Sequence, residues 1–216
     1  MTQQHDPGKR RPFTVTGQNR PSALRENIES LVWAVGRALI IRTLVMAPFK
    51  IPSGSMHPTL LEGDRILVNK FIYHAHPPRR GDVVVFYYPS EWRPLRERLA
   101  DRNRSWFDRL FNSGRPFIKR LIAVGGDDVE IRDGRLFVNG RLLENRDIFR
   151  SNRYYNQGPY GQAHQIIHVP PDSFYVLGDN SLSSHDSRFW GFVPKHLIIG
   201  QATCIFWPLT RWRLLR

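Results

Sequence analysis

Apolar and polar positions divide the chain into one helix-period stretch followed by many strand-period stretches. From Ser30 to Ala47 the run SLVWAVGRALIIRTLVMA carries only Arg37 and Arg42 as charged residues. At about 1.5 Å per residue it rises about 27 Å, close to the hydrocarbon thickness of a bilayer. Pro48 marks its stop. The pattern predicts a transmembrane helix over residues 30–48. An Arg near the centre costs about 2.5–3.5 kcal/mol on insertion scales. Arg42 can snorkel to an interface, whereas Arg37 is harder to place. A buried or interfacial helix of a soluble protein is the alternative.

Beyond Pro48 the period changes. The runs RILVNKF (65–71), DVVVFYY (82–88) and FIKRLIAV (117–124) are short and rich in β-branched and aromatic residues. In DVEIRDGRLFVN (128–139), Asp133-Gly134 is a two-residue hairpin turn between alternating strands, and Asn139-Gly140 signals a second turn. Further strands are expected at 165–169, 173–177 and 197–207. With no βαβ rhythm and no repeat, the fold class is mainly β: an antiparallel sandwich or barrel-like domain over residues 49–216. One stretch departs from this. Residues 91–115 carry seven Arg, with Trp92, Leu95, Leu99, Trp106, Phe107, Leu110 and Phe111 at helical spacing. A basic amphipathic helix or helix pair is expected there, lying either in a lipid headgroup layer or against the sheet.

Composition sharpens the picture at three points. The 216 residues, 41% of them hydrophobic, suffice for a single packed domain with a tail. Residues 1–29 read as a polar, basic tail. Lys9, Arg10, Arg11, Arg20 and Arg25 precede the apolar run and would hold the N-terminus in the cytoplasm, with the remainder on the far side. Cys204 is the sole cysteine, so no internal disulfide can form. The net charge of +13 suits anionic lipid or nucleic acid. Because the charges are scattered and no nucleic-acid motif accompanies them, nucleic acid is not expected as a partner.

The chain lacks a Gly-x-Ser-x-Gly elbow, a Ser-x-x-Lys pair, a phosphate loop and a His-Glu-x-x-His motif. His164 and His168 have no adjacent acidic ligand, so no metal site is expected there. The segment Ile51 to Leu60 (IPSGSMHPTL) is a restrained turn that can present a hydroxyl and a backbone N–H in fixed directions. An ordinary loop is the alternative. A serine needs a base, and Lys119 lies within an otherwise apolar strand. Burial disfavours its ammonium form, and a neutral amine within hydrogen-bond reach of Ser55 can take its proton. A strand-edge lysine facing water is the alternative, and Arg120, alternating with it, is expected to point to solvent if Lys119 faces the site. The loop GDNSLSSHDSRFWG (178–191) can pair Asp186 with Arg188 and offers serine hydroxyls to orient an amine. A Ser55–His185–Asp186 triad is a rival, although adjacent residues of an extended segment point apart.

Taken in order, the stretches 48–60, 81–86, 117–129 and 178–194 behind a hydrophobic segment resemble bacterial signal peptidase I, of the Ser/Lys endopeptidase clan. The resemblance runs from about residue 30 to the C-terminus, with a gap at 91–115. It implies a signal peptidase-like antiparallel β catalytic domain on one N-terminal transmembrane helix. It also implies Ser55 as nucleophile, Lys119 as general base, and an oxyanion hole made by the Ser53 hydroxyl and the Ser55 amide. Ser184 falls where the family has a lysine-orienting serine, and Asp186 and Arg188 fall on its structural ion pair. Phe49, Ile51, Pro52 and Ile118 match pocket positions for small residues at −1 and −3. The implied partners are preproteins with Ala-x-Ala-like cleavage sites, membrane lipid and a neighbouring export translocon, with no metal or cofactor. The implied location is the bacterial inner membrane, single-pass, with the N-terminus cytoplasmic and the catalytic domain extracytoplasmic. Departures are Ala123-Val124-Gly125-Gly126-Asp127, where Gly-Leu-Pro-Gly-Asp is usual, and Phe117, where Tyr is common. Competing readings are a specialised conjugative-type peptidase of the clan and a non-catalytic, membrane-tethered binding domain. A self-cleaving repressor would need an N-terminal helix-turn-helix in place of the hydrophobic run.

Overall fold

The computed structural model describes residues 23–40, 45–88 and 116–215. The helical insert expected at 91–115 lies outside the described residues, as does the tail up to residue 22. The chain divides into two compact units, 1–39 and 40–216.

The first unit contains helix α1 (Ala23–Ile40). It begins seven residues before the expected span and takes in Arg25, Glu26 and Glu29. No described helix is long and apolar enough to cross a membrane, so the structure does not confirm the span expected at 30–48. Its C-terminal end also needs correcting, because Met46, Ala47 and Pro48 belong to a strand. Pro48 sits opposite Leu67 in an edge strand, where a residue without an N–H is tolerated. On α1, Ile28, Leu31, Val32, Trp33 and Val35 are each half or more exposed.

In the second unit, β1 (Met46–Lys50), β2 (Arg65–Asn69), β3 (Val83–Tyr87), β4 (Pro116–Val124), β9 (Ser173–Leu177), β10 (Val193–Pro194) and β11 (Ile198–Trp207) form an antiparallel sheet. Their order is β1-β2-β11-β3-β4-β9-β10, and β12 (Arg213–Leu214) pairs with β11. A smaller antiparallel sheet has the order β7-β6-β5-β8, from β5 (Asp128–Arg132), β6 (Arg135–Val138), β7 (Arg141–Leu142) and β8 (Ile167–His168). The short helices α2 (Ile72–Ala75), α3 (Asp147–Ser151) and α4 (Ser187–Trp190) occupy connections.

Burial explains the sequence patterns. On β3, Val83 and Val85 pack with Ile51, Met56, Leu60 and Ile66, while Val84 and Phe86 pack with Leu121, Val176 and Trp190. Both faces of this strand are covered, so its sequence is continuously apolar rather than alternating. On β5 only Val129 and Ile131 enter a core, with Leu136 and Val138 of β6. Here the strict alternation of the sequence survives. The Asp133-Gly134 hairpin forms as expected, with positive φ at both residues, as a type I′ turn requires.

Candidate active site

Ser55 lies in a 3-10 turn (Gly54–Met56) between β1 and β2. Two backbone bonds close this connection, Ile51 N–H to Asp64 at 2.8 Å and Gly63 N–H to Ile51 at 2.9 Å. Met56 and Leu60, both fully buried, pin the turn to the core below. Ser55 sits in the first turn of the 3-10 segment, where backbone N–H groups have no partner within the helix. Its amide is therefore suited to act as a donor.

Lys119 arrives from β4, held opposite Val84 of β3 by the strand register. Its Nζ donates to Ser55 Oγ across 2.7 Å and to the Ile118 carbonyl across 3.1 Å. Lys119 is only 3% exposed. Burial lowers its pKa from 10.5 to about 8, against the opposing pull of Asp186 and Asp179, while Arg188 pushes in the same direction as burial. The resulting arrangement is a nearly dry amine, partly neutral near pH 8, within hydrogen-bond distance of a serine hydroxyl.

The loop after β9 locks this pair from the other side. Asn180 spans the two segments: its backbone N–H donates to the Ser55 carbonyl at 3.0 Å and its side-chain amide to the Gly54 carbonyl at 3.1 Å. Gly178 allows the approach, since a Cβ there would run into the Ser184 side chain and the Ser55 carbonyl. Asp186 and Arg188 form a fully buried bidentate pair at 2.8 Å on both arms. Arg188 also binds the Ser181 hydroxyl and the carbonyls of Tyr155, Ser181 and Ser184, so its charge is well solvated by protein groups.

Two expectations differ from this geometry, and the rival triad is not formed. Ser184 is buried beside the turn, but its hydroxyl has no hydrogen-bond partner among the described residues and does not bind Lys119. The triad Ser55–His185–Asp186 is not assembled. Asp186 is engaged by Arg188 and the Gly178 amide, and the exposed His185 ring stacks on Phe189 with centroids 5.0 Å apart. Arg120 does not face solvent: it is 2% exposed and makes a bidentate pair with Asp179 at 2.7 and 2.6 Å. Arg120 also donates to the Gly81 carbonyl and to Thr59, while Thr59 Oγ1 donates to Asp179. The Asn180 clamp and the Arg120–Asp179 pair were the functional neighbours that sequence reasoning missed. The adjacency of Asp179-Asn180 to Gly178 was their one visible signal.

Around Ser55 and Lys119 is a cavity of about 530 Å³. Phe49, Ile51, Pro52, Ser53 and Ile118 all line it, so the expected pocket residues converge on one space with the serine and the lysine. Val85 and Phe117 extend its apolar wall, and Lys50, Ser183 and His185 add polar ones. Among the described residues no group of three or more His, Cys, Asp or Glu is placed to hold a metal ion.

A family model described as signal peptidase, peptidase S26, matches residues 24–207. The chain is 43% identical to signal peptidase I of Leptolyngbya laminosa, over 88% of this chain and 83% of that one. It is 38% identical to a probable signal peptidase I of Synechocystis, over 88% of this chain and 85% of the relative. A solved signal peptidase I of Enterococcus faecalis, 30% identical, covers 58% of this chain and 97% of its own, with a TM-score of 0.39.

Removing Asp179 leaves the Arg120 guanidinium buried and uncompensated. Asp179→Ala is expected to cost about 3–5 kcal/mol of stability in urea titration. Arg132→Ala, which breaks the exposed pair with Glu130, is expected to leave the urea midpoint nearly unchanged. Equal losses in the two variants would contradict the role given to the buried pair.

Proposed function

The chain belongs to the peptidase S26 family of signal peptidases, and from that premise we propose that it is a membrane-bound serine endopeptidase removing N-terminal signal peptides after small residues at −1 and −3. The observation that supports this most is the buried Lys119 amine 2.7 Å from the Ser55 hydroxyl.

In this mechanism neutral Lys119 takes the hydroxyl proton as Ser55 Oγ attacks the scissile carbonyl. The negative charge that develops on the carbonyl oxygen is met by the Ser55 N–H and the Ser53 hydroxyl. Lys119 then gives its proton to the departing amine, leaving an acyl ester on Ser55. A water molecule repeats the cycle: Lys119 removes its proton, the ester is cleaved, and the proton returns to Ser55 Oγ. The Asp186–Arg188 and Arg120–Asp179 pairs act at a distance, by holding the loop and the strand in register. The apolar walls formed by Phe49, Ile51 and Ile118 suit small side chains of an extended peptide, with Pro52 shaping the bend beside them. The exposed apolar side chains of α1 support membrane attachment, since such a face calls for a cover. The preproteins would be presented by an export translocon at the bacterial inner membrane, with the N-terminus cytoplasmic and the catalytic unit outside.

Ser55→Ala and Lys119→Ala are each expected to lower cleavage of an Ala-x-Ala preprotein by more than about a thousandfold, with circular dichroism unchanged. Lys119→Arg is expected to be equally inactive, because a guanidinium stays charged. Since the base works only when neutral, kcat/KM should fall about tenfold per pH unit below about 8 and level off above it. Substantial activity in either alanine variant, or a flat profile down to pH 5, contradicts the assignment. For the membrane part, the full chain is expected to float with liposomes after an alkaline wash, and recovery in the soluble fraction contradicts it.

A further inference from the structure

Among the described residues, the cavity walls carry charge of one sign: Lys50 and His185 line them, and no described Asp or Glu does. Both side chains are exposed, and neither is paired with a carboxylate among the described residues. They come from separate segments: Lys50 from the end of β1, His185 from the loop between β9 and α4. Stacking on Phe189, with ring planes 20° apart, orients the His185 imidazole. A neutral imidazole still offers one N–H donor, so this wall can bind an anion in either protonation state.

Side-chain alternation says which substrate positions meet these groups. Phe49 and Ile51 pack into the same core cluster, while Lys50 between them is exposed. An extended peptide alternates in the same way: side chains at −1 and −3 point one way, those at −2 and +1 the other. With the small residues directed into the apolar pockets, the side chains at −2 and +1 are left on the side that Lys50 takes, and His185 lines the same cavity.

We infer that the site selects peptides bearing an acidic side chain at −2 or +1, through Lys50 and His185. This rests on the proposed peptidase reading and deepens it: small residues are read by the apolar floor, and charge by the rim. Exposed ion pairs of this kind change rates by small factors, about two- to fivefold per charge step, and they are screened by salt.

The test uses the full chain and matched Ala-x-Ala peptides carrying Asp, Gln or Lys at −2, and a second set with these residues at +1. In at least one set kcat/KM is expected to rank Asp over Gln over Lys, with Asp exceeding Lys about tenfold at low salt. About 1 M NaCl should collapse the ratio. Lys50→Glu should reverse the order, and His185→Ala should shrink it. Binding of the same peptides to Ser55→Ala, followed by fluorescence anisotropy, should show the same ranking. Equal kcat/KM across all three residues at both positions, or a ranking untouched by both rim substitutions, overturns the charge selection. Absence of cleavage of every peptide counts against the peptidase reading alone, and the binding order then decides the charge selection by itself.

Discussion

The site depends on keeping an amine dry. A lysine in water is a cation at neutral pH and useless as a base; in the proposed mechanism Lys119 can serve as one because β4 carries it into a space where an ammonium ion is poorly solvated. Its environment is nevertheless not free of opposing charge. Asp179 and Asp186 lie close enough to favour the protonated form, and each is tied to its own arginine. The two ion pairs therefore have a second consequence besides rigidity. With each carboxylate engaged bidentately by a guanidinium, its pull on the amine is diluted, and desolvation prevails. Breaking a pair would leave one buried charge unmatched and at the same time disturb the balance that sets the lysine's proton.

Geometry follows from the same elements. Adjacent residues of one strand serve different ends: Lys119 meets the Ser55 hydroxyl, and Arg120 fastens the strand to Asp179. The following residue, Asn180, grips the Ser55 turn from above. One loop thus links the Ser55 turn to the ion pairs, and Gly178 lets it approach the Ser55 carbonyl closely. The Ser184 hydroxyl is the loose end of this arrangement, buried beside the turn without a partner among the described residues.

Much of this was legible in the sequence. The strands at 65–69, 83–87, 128–138 and 173–177 were visible because their apolar periods match burial on one face or on both. The converging site residues were visible through restrained turn chemistry and a lysine among apolar neighbours, and a family resemblance supplied their order. What escaped was tertiary. The alternation rule sent Arg120 to solvent, but both sides of β4 are covered, and a bidentate carboxylate made burial of the guanidinium tolerable. β1 was hidden at the end of an apolar run that reads as helix, since only pairing with β2 makes Met46–Lys50 a strand. The orphaned Ser184 hydroxyl depends on angles that no spacing rule encodes.

The charge on Lys119 is the quantity on which the account stands, and it can be read directly. Lysine labelled with 13C at Cε, followed by NMR as a function of pH and assigned by comparison with Lys119→Ala, reports when this amine gains its proton. The account predicts that the Lys119 signal titrates near pH 8. A Lys119 signal that stays in its protonated position up to the range of ordinary lysines, about pH 10.4, would contradict it.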